Sequence, residues 1–196
     1  MKAPYAHQIE GARLLRENPN FALLCEMGAG KSRMVCMDFE DKLRTGDVSS
    51  LVVVAPSGCY RNWEAELKQW LAPEVYERLH TLVWVSGKTK TKDIENFLSN
   101  AWKRPRVLLM NVEALSRVEK ARDLLSGLLG GSDAMWVIDE SQCIKAPDSA
   151  RTKFILKTAP LAKYRRILTG LVAPENPLNL YSQFDFLDWT ILGFRN

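Results

Sequence analysis

Short apolar runs rich in β-branched residues alternate along this chain with longer stretches in which apolar positions recur every three or four residues. The short runs occupy residues 21–27, 51–55, 81–85, 107–110, 135–139 and 166–169. Each is nearly continuously apolar, as a strand must be when helices cover both of its faces. Helical periodicity fills the intervals at 6–16, 31–44, 60–70, 92–101, 112–129 and 148–157. Strand and helix therefore alternate as repeated βα units. They predict an α/β three-layer sandwich around a mainly parallel central sheet, with ligands at the carboxyl ends of the strands. Gly130-Gly131-Ser132-Asp133 and Ala173-Pro174-Glu175-Asn176-Pro177 read as loops inside one domain, because the elements flanking them need the same sheet.

The first run opens into Cys25-Glu26-Met27-Gly28-Ala29-Gly30-Lys31-Ser32, followed at once by a helical pattern. A Gly-x-Gly-Lys-Ser loop in that place suits a triphosphate. Its glycines let backbone N–H groups converge on phosphate oxygens, Lys31 reaches the β- and γ-phosphates, and the Ser32 hydroxyl is a ligand for Mg²⁺. The helix behind it adds a positive N-terminal end. ATP and Mg²⁺ are the expected ligands, with Met27, Gly28, Ala29, Gly30, Lys31, Ser32 and Arg33 as the binding segment. The competing reading is an ordinary glycine turn with a surface lysine.

Met135-Trp136-Val137-Ile138-Asp139-Glu140 is an apolar strand ending in two adjacent carboxylates. Asp139 at the strand end suits a metal ligand near Ser32. Glu140 suits a group that orients and deprotonates an attacking water. Taken alone, the pair could equally be a solvated strand-to-loop junction. Its position downstream of the phosphate loop, with further strands between, favours the hydrolytic reading and gives a catalytic set of Lys31, Asp139 and Glu140.

Composition changes the picture only slightly. With 196 residues and 46% hydrophobic content the chain can bury one substantial core. Twenty-seven basic against 23 acidic residues give a net +4, which permits nucleic-acid contact without demanding it. Cys25, Cys36, Cys59 and Cys143 form no CxxC pair, and His7 and His80 have no metal partners, so the cysteines read as reduced apolar fillers in an intracellular protein. No signal-peptide core and no run of membrane-spanning length occurs. The expected location is cytoplasmic or nucleoid-associated, with no membrane partner.

Phosphate loop, Asp-Glu box and Leu168-Thr169-Gly170 stand in the order found in the first RecA-like lobe of superfamily-two helicases, and the chain most resembles the Swi/Snf-type DNA translocases over nearly its whole length. Tyr5-Ala6-His7-Gln8-Ile9-Glu10-Gly11 resembles that family's glutamine motif, which implies that Gln8 reads the adenine edge. Val52-Val53-Val54-Ala55-Pro56-Ser57 with Asn62-Trp63 is similar to motif Ia, and the segment from Leu108 through Asn111 to Leu115 to the motif Ib region. Both imply DNA-facing roles, carried by Ser57, Asn62 and Asn111. Asp139-Glu140-Ser141-Gln142 stands where the family carries its Asp-Glu-x-His/Gln box. Gln142, Thr169 and Gly170 are thereby implied in coupling, and Ser182-Gln183-Phe184-Asp185-Phe186-Leu187 resembles the segment that closes this lobe.

The resemblance implies a P-loop NTPase lobe that acts on DNA, duplex more than single strand, together with a second RecA-like lobe that supplies arginines to the nucleotide cleft. That second lobe is absent from these residues, and the abrupt ending at Asn196 is read as that of a fragment. Local alternatives stand beside these roles: a surface site for Gln8, helix caps for Ser57 and Asn62, and core packing rather than base stacking for Trp63 and Trp70. Lys88, Lys90 and Lys92 read as a solvated face, with a phosphate track as the lesser reading. Cys25 stands where the general loop begins with glycine, and Leu171-Val172 replaces the family's usual Thr-Pro. Beside the translocase, two other functions fit: an ATPase of the same fold acting on RNA or protein, and a nucleotide-regulated binding module without catalysis.

Overall fold

A computed structural model of the chain describes residues 3–101, 103–170 and 177–192. The Leu171-Val172 departure and nearly all of the loop expected at 173–177 lie outside the described residues, as do 193–196.

Six parallel strands form a single sheet: β1 (Asn20–Leu24), β2 (Ser50–Ala55), β3 (His80–Val83), β4 (Arg106–Asn111), β5 (Ala134–Asp139) and β6 (Tyr164–Thr169), in the order β1-β6-β5-β2-β4-β3. Helices α1 (Ala6–Glu17), α2 (Lys31–Thr45), α3 (Asn62–Trp70), α4 (Pro73–Tyr76), α5 (Thr91–Ser99), α6 (Ala114–Arg117), α7 (Glu119–Gly130), α8 (Ala150–Thr158) and α9 (Tyr181–Leu187) connect and cover it. Alternate residues of the central strands feed two cores. Leu51, Val53, Val107, Leu109, Met135 and Val137 meet Val35, Phe39, Trp63 and Leu67 on one face. Val52, Val54, Leu108, Met110, Trp136 and Ile138 meet Leu124, Leu125, Leu128 and Phe186 on the other. Each fully buried large apolar side chain contributes about 1.5–3 kcal/mol, which is why the central strands carry no alternation of apolar and polar residues. The three-layer RecA-like α/β architecture is thus as expected.

Topology sets up the site. β5 and β6 insert between β1 and β2, so the carboxyl ends of β1, β6, β5, β2 and β4 form one row. In register, Leu24 pairs with Thr169, Leu168 with Asp139, and Ala55 with Asn111. The segments singled out from the sequence therefore lie side by side along one edge of the sandwich.

Most element ends shift by one or two residues, and three differences have a physical reason. β1 ends at Leu24 rather than at residue 27, because the chain turns away through two left-handed glycines and Met27 is left 83% exposed. The helix expected over 112–129 is broken at Val118, whose backbone is extended (φ −98°, ψ 102°). The carbonyls freed there, on Leu115 and Ser116, accept from the Arg122 guanidinium at 2.8 Å each. Finally, α9 follows β6 as a seven-residue helix whose inward face includes the polar Ser182 and Gln183, and that mixture hides it from an apolar periodicity.

Candidate functional site

The phosphate loop runs from Cys25, whose N–H still donates to the Thr169 carbonyl at 3.2 Å, to Gly30, the residue before α2. Gly28 and Gly30 both sit at φ near +80° (+80° and +81°), a conformation that side-chain-bearing residues rarely adopt. A Cβ on Gly30 would stand 2.3 Å from the Gln8 amide nitrogen, so any side chain there would also displace Gln8 from the loop. Gly170 is also constrained: its Cβ would meet Met27 Cγ at 3.2 Å, placing the turn after β6 directly against the loop.

No side chain caps α2, and helix geometry leaves its first-turn N–H groups without intrahelical acceptors. Those donors, the Lys31 ammonium and the Ser32 hydroxyl make a set suited to phosphate oxygens and a hard cation. The loop and its neighbouring carboxylate thus fit Mg²⁺ and nucleotide. Lys31 Nζ itself donates to the carbonyls of Cys25 at 2.8 Å and Glu26 at 3.2 Å.

Gln8 is buried and clasps the loop. Its amide nitrogen donates to the Ala29 carbonyl at 3.3 Å, and its Oε1 accepts from the Tyr5 N–H at 3.1 Å and from Arg33 at 3.2 Å. The surface-glutamine alternative is thereby removed. Arg33 is buried as well, lying 4.4 Å from the Trp70 ring centroid and donating to the Ala3 carbonyl at 3.4 Å. It stands behind the loop, against Gln8.

Asp139 and Glu140 close β5 one step away. Asp139 Oδ2 accepts from the Trp63 indole at 2.9 Å and Oδ1 from the Glu140 N–H at 3.0 Å. Burial holds the Asp139 carboxyl above the usual carboxylate range. The Trp63 hydrogen bond opposes that shift, the Glu140 charge adds to it, and the nearby Lys31 ammonium opposes it. Glu140 adopts a left-handed backbone (φ +49°), rare for a glutamate, which turns the chain sharply at the strand end. Its Oε2 accepts from the Gln142 amide at 2.8 Å, and Gln142 Oε1 accepts from the Thr169 hydroxyl at 3.0 Å. Phosphate loop, Asp-Glu box and Thr169-Gly170 are joined in one polar line. Beneath it the buried Ser141 hydroxyl donates to Gln183 Oε1, whose amide donates to the Asn179 carbonyl at 2.7 Å, so α9 holds the box from below.

A second cluster sits beyond β2. The Ser57 hydroxyl donates to Glu113 Oε2 at 2.8 Å, and the Asn111 amide donates to the same oxygen at 3.1 Å and to Ser57 Oγ at 3.3 Å. Burial pushes the Glu113 carboxyl up, but its own N–H together with Ser57 and Asn111 more than offset this and hold it below the usual glutamate range. Neither Ser57 nor Asn62 caps α3: Arg61 precedes it without a side-chain cap, and Asn62 is its exposed first residue, outside the Ser57–Asn111 contacts. Lys88, Lys90 and Lys92 are exposed next to Asp93 and Glu95, as a solvated face would be.

Three participants escaped the sequence reading. Trp63 is buried, as core packing implies, yet it also donates to Asp139. Glu113 joins the segments that follow β2 and β4, and Gln183 reaches the box from α9. Periodicity reports which face a residue occupies, not where an indole or amide N–H points. The sequence offered one signal, the adjacent polar pair Ser182-Gln183 beside the apolar Phe186-Leu187 of α9.

The arrangement has recognisable relatives. Over 98% of its length the chain superposes on 37% of the SWI2/SNF2 ATPase core of Sulfolobus solfataricus in complex with dsDNA, with a TM-score of 0.71 and 23% identity. It superposes on 58% of the UvsW helicase from bacteriophage T4 at a TM-score of 0.64, covering 95% of this chain at 12% identity. By sequence it is 28% identical to a DNA repair and recombination protein RAD54-like of Drosophila virilis, over 95% of this chain and 24% of the relative. It is 27% identical to the CHD3-type chromatin-remodeling factor CHR7 of Arabidopsis thaliana, over 94% of this chain and 15% of that protein. The chain thus spans a quarter or less of these curated relatives. Among the described residues no helix is long and apolar enough to cross a membrane. Residues 7–196, which include Gln8, the phosphate loop, the Asp-Glu box and Thr169-Gly170, match the SNF2-related domain, and the chain belongs to that family.

Proposed function

We propose that this chain is the ATP-binding, N-terminal RecA-like lobe of an ATP-driven DNA translocase, sharing its nucleotide cleft with a second RecA-like lobe elsewhere in the whole protein. The observation that carries the proposal is the polar line from Thr169 through Gln142 to Glu140, beside Asp139 and the phosphate loop. A passive binding module has no need to hold a buried carboxylate and a water-orienting glutamate at the end of one strand.

Ser32 and Asp139 would hold Mg²⁺, and bound Mg²⁺·ATP supplies a polarised γ-phosphoryl group whose charge the metal partly neutralises. The first-turn N–H groups of α2 and Lys31 bind the phosphates, Lys31 exchanging its two carbonyl partners for phosphate oxygens. Gln8 holds the loop shape through Ala29 and borders the adenine. Glu140 orients the attacking water and accepts its proton, with Gln142 fixing the carboxylate. Ser57, Asn62 and Asn111 lie at the same edge: Asn62 is exposed, and the Ser57 and Asn111 donors would exchange Glu113 for the backbone of duplex DNA. Such contacts give weak sequence preference and binding that falls with salt.

Glu140→Gln tests the catalytic reading: nucleotide affinity should be kept while turnover falls by about 10²-fold or more. This chain alone should turn over slowly, because an arginine from a second lobe is worth about 10³–10⁵ in rate. Comparing duplex DNA, single-stranded DNA and RNA as stimulators of the longer protein identifies the track. Vigorous DNA-stimulated hydrolysis by the isolated chain, or a Glu140→Gln variant that binds no nucleotide, would refute the proposal.

A further inference from the structure

We infer that Trp63 is a positioning residue for Asp139, tying the metal-side carboxylate to the DNA-facing loop; this rests on the nucleotide site proposed above. Trp63 is 2% exposed, and its indole N–H reaches Asp139 Oδ2 at 2.9 Å across 76 residues of sequence. The other oxygen of Asp139 takes the Glu140 N–H at 3.0 Å. A carboxylate with one donor on each oxygen cannot rotate about its terminal bond without breaking both contacts. Its remaining lone pairs therefore keep one direction, which is what a metal ligand needs from its supporting groups.

Packing alone does not explain the contact. Two other buried indoles, those of Trp84 and Trp136, have no partner for their N–H groups among the described residues. This fold therefore buries tryptophan without giving it a carboxylate, and Trp63 is directed to one of the two acidic residues of the box.

The other end of Trp63 is equally placed. It follows the exposed Asn62 in α3, and the turn from Pro56 to Arg61 that leads to it is stiffened at several points. Cys59 N–H donates to the Pro56 carbonyl at 2.8 Å, Asn62 N–H to the Cys59 carbonyl at 3.0 Å, and the Tyr60 hydroxyl to the Trp84 carbonyl at 3.0 Å. A DNA phosphate drawing on Ser57 or Asn62 thus pulls on a rigid turn whose next residue holds Asp139. Close packing around the ring transmits displacement rather than absorbing it.

Trp63→Phe keeps a buried aromatic ring and removes the N–H. Binding of a fluorescent ATP analogue is measured with and without Mg²⁺ for this chain, for Trp63→Phe and for Trp84→Phe, alongside thermal melts. The factor by which Mg²⁺ tightens binding should fall about tenfold in Trp63→Phe, while its Mg²⁺-free affinity stays near wild type; Trp84→Phe, which leaves a similar cavity and lowers melting comparably, should keep the wild-type Mg²⁺ factor. A duplex oligonucleotide should change the nucleotide affinity of wild type and leave that of Trp63→Phe unmoved. An undiminished Mg²⁺ factor overturns the inference, as does an equal loss of affinity with and without Mg²⁺, which would mark a packing role only. A DNA effect identical in both proteins overturns the link to the loop. Should Trp63→Phe not fold, the wild-type indole ¹H–¹⁵N resonance decides: it should shift with Mg²⁺·ADP and not with ADP alone, and no difference counts against the inference. A wild-type chain with no Mg²⁺-dependent nucleotide binding would instead refute the site itself, a separate and recognisable result.

Discussion

Asp38→Asn should destabilise the chain by about 3–5 kcal/mol, more than any surface charge change. Asp38 is fully buried in α2 between two cations that are buried too, Lys42 and Arg166. Its Oδ1 accepts from Lys42 at 2.5 Å, and its Oδ2 accepts twice from Arg166, at 3.2 and 3.0 Å. Asparagine keeps the shape but offers one acceptor oxygen and turns an NH₂ toward one of the two cations. Arg166 would retain the carbonyls of Leu15 and Pro19 at 2.6 Å each, and Lys42 would retain Leu15 and Arg16 at 3.4 Å and the Tyr164 ring at 4.6 Å. Those dipoles satisfy hydrogen bonds without neutralising two buried positive charges, so the loss falls in the range for removing one partner of a buried ion pair rather than that of a single neutral hydrogen bond. For a domain of this size it corresponds to a drop in melting temperature of roughly 10 °C. Urea unfolding with an unchanged m-value measures the free energy. The network joins α1, which carries Gln8, to α2 behind the phosphate loop and to β6, which ends at Thr169. Nucleotide binding should therefore persist only where the variant is folded. A loss under about 1 kcal/mol would refute the reasoning, since it would mean the two cations need no counter-charge.

Gln183→Leu should cost about 1–3 kcal/mol by stranding the buried Ser141 hydroxyl; Ser141→Ala added to it should recover much of the loss in urea unfolding, and strictly additive costs would contradict the pairing. His80 lies edge-on to Phe97 at 5.2 Å, and burial, then Arg104 and Arg106, lower its pKa, so the folded chain resists the proton that the unfolded chain accepts. Stability should be full above the ordinary histidine value of about 6.5 and decline as pH falls through the lowered folded value, and His80→Phe should flatten that part of the profile.

The fold was legible because buried parallel strands are almost uninterrupted in Val, Ile, Leu and Met, and that signal depends on composition alone. The segment 112–129 misled for the same reason: its apolar spacing is helical throughout, and the break at Val118 is accommodated by Arg122, which caps the two freed carbonyls, a contact between side chain and backbone that periodicity does not record. In the site, Gly28, Gly30, Lys31, Asp139 and Glu140 were legible because backbone conformation or ionic chemistry restricts those positions to few residue types. Trp63, Glu113 and Gln183 were not, because each acts through a donor or acceptor whose direction depends on how distant segments pack.

These hidden contacts alter how substitutions in the site should combine. Asp139 depends on Trp63 from the β2 side, Glu140 on Gln142 and through it on Thr169, and Ser141 on Gln183 from α9. Thr169 in turn holds Cys25 at the root of the phosphate loop through its carbonyl. Three consecutive residues of the box are therefore each fixed by a different element, and the left-handed backbone at Glu140 directs the neighbouring side chains along different paths. A substitution in any one support leaves two in place and shifts the box only partly, whereas a second removes restraint that the first had left redundant. Supports of one three-residue segment should thus couple more strongly than their separate effects suggest, while each remains independent of the Asp38 network behind α2.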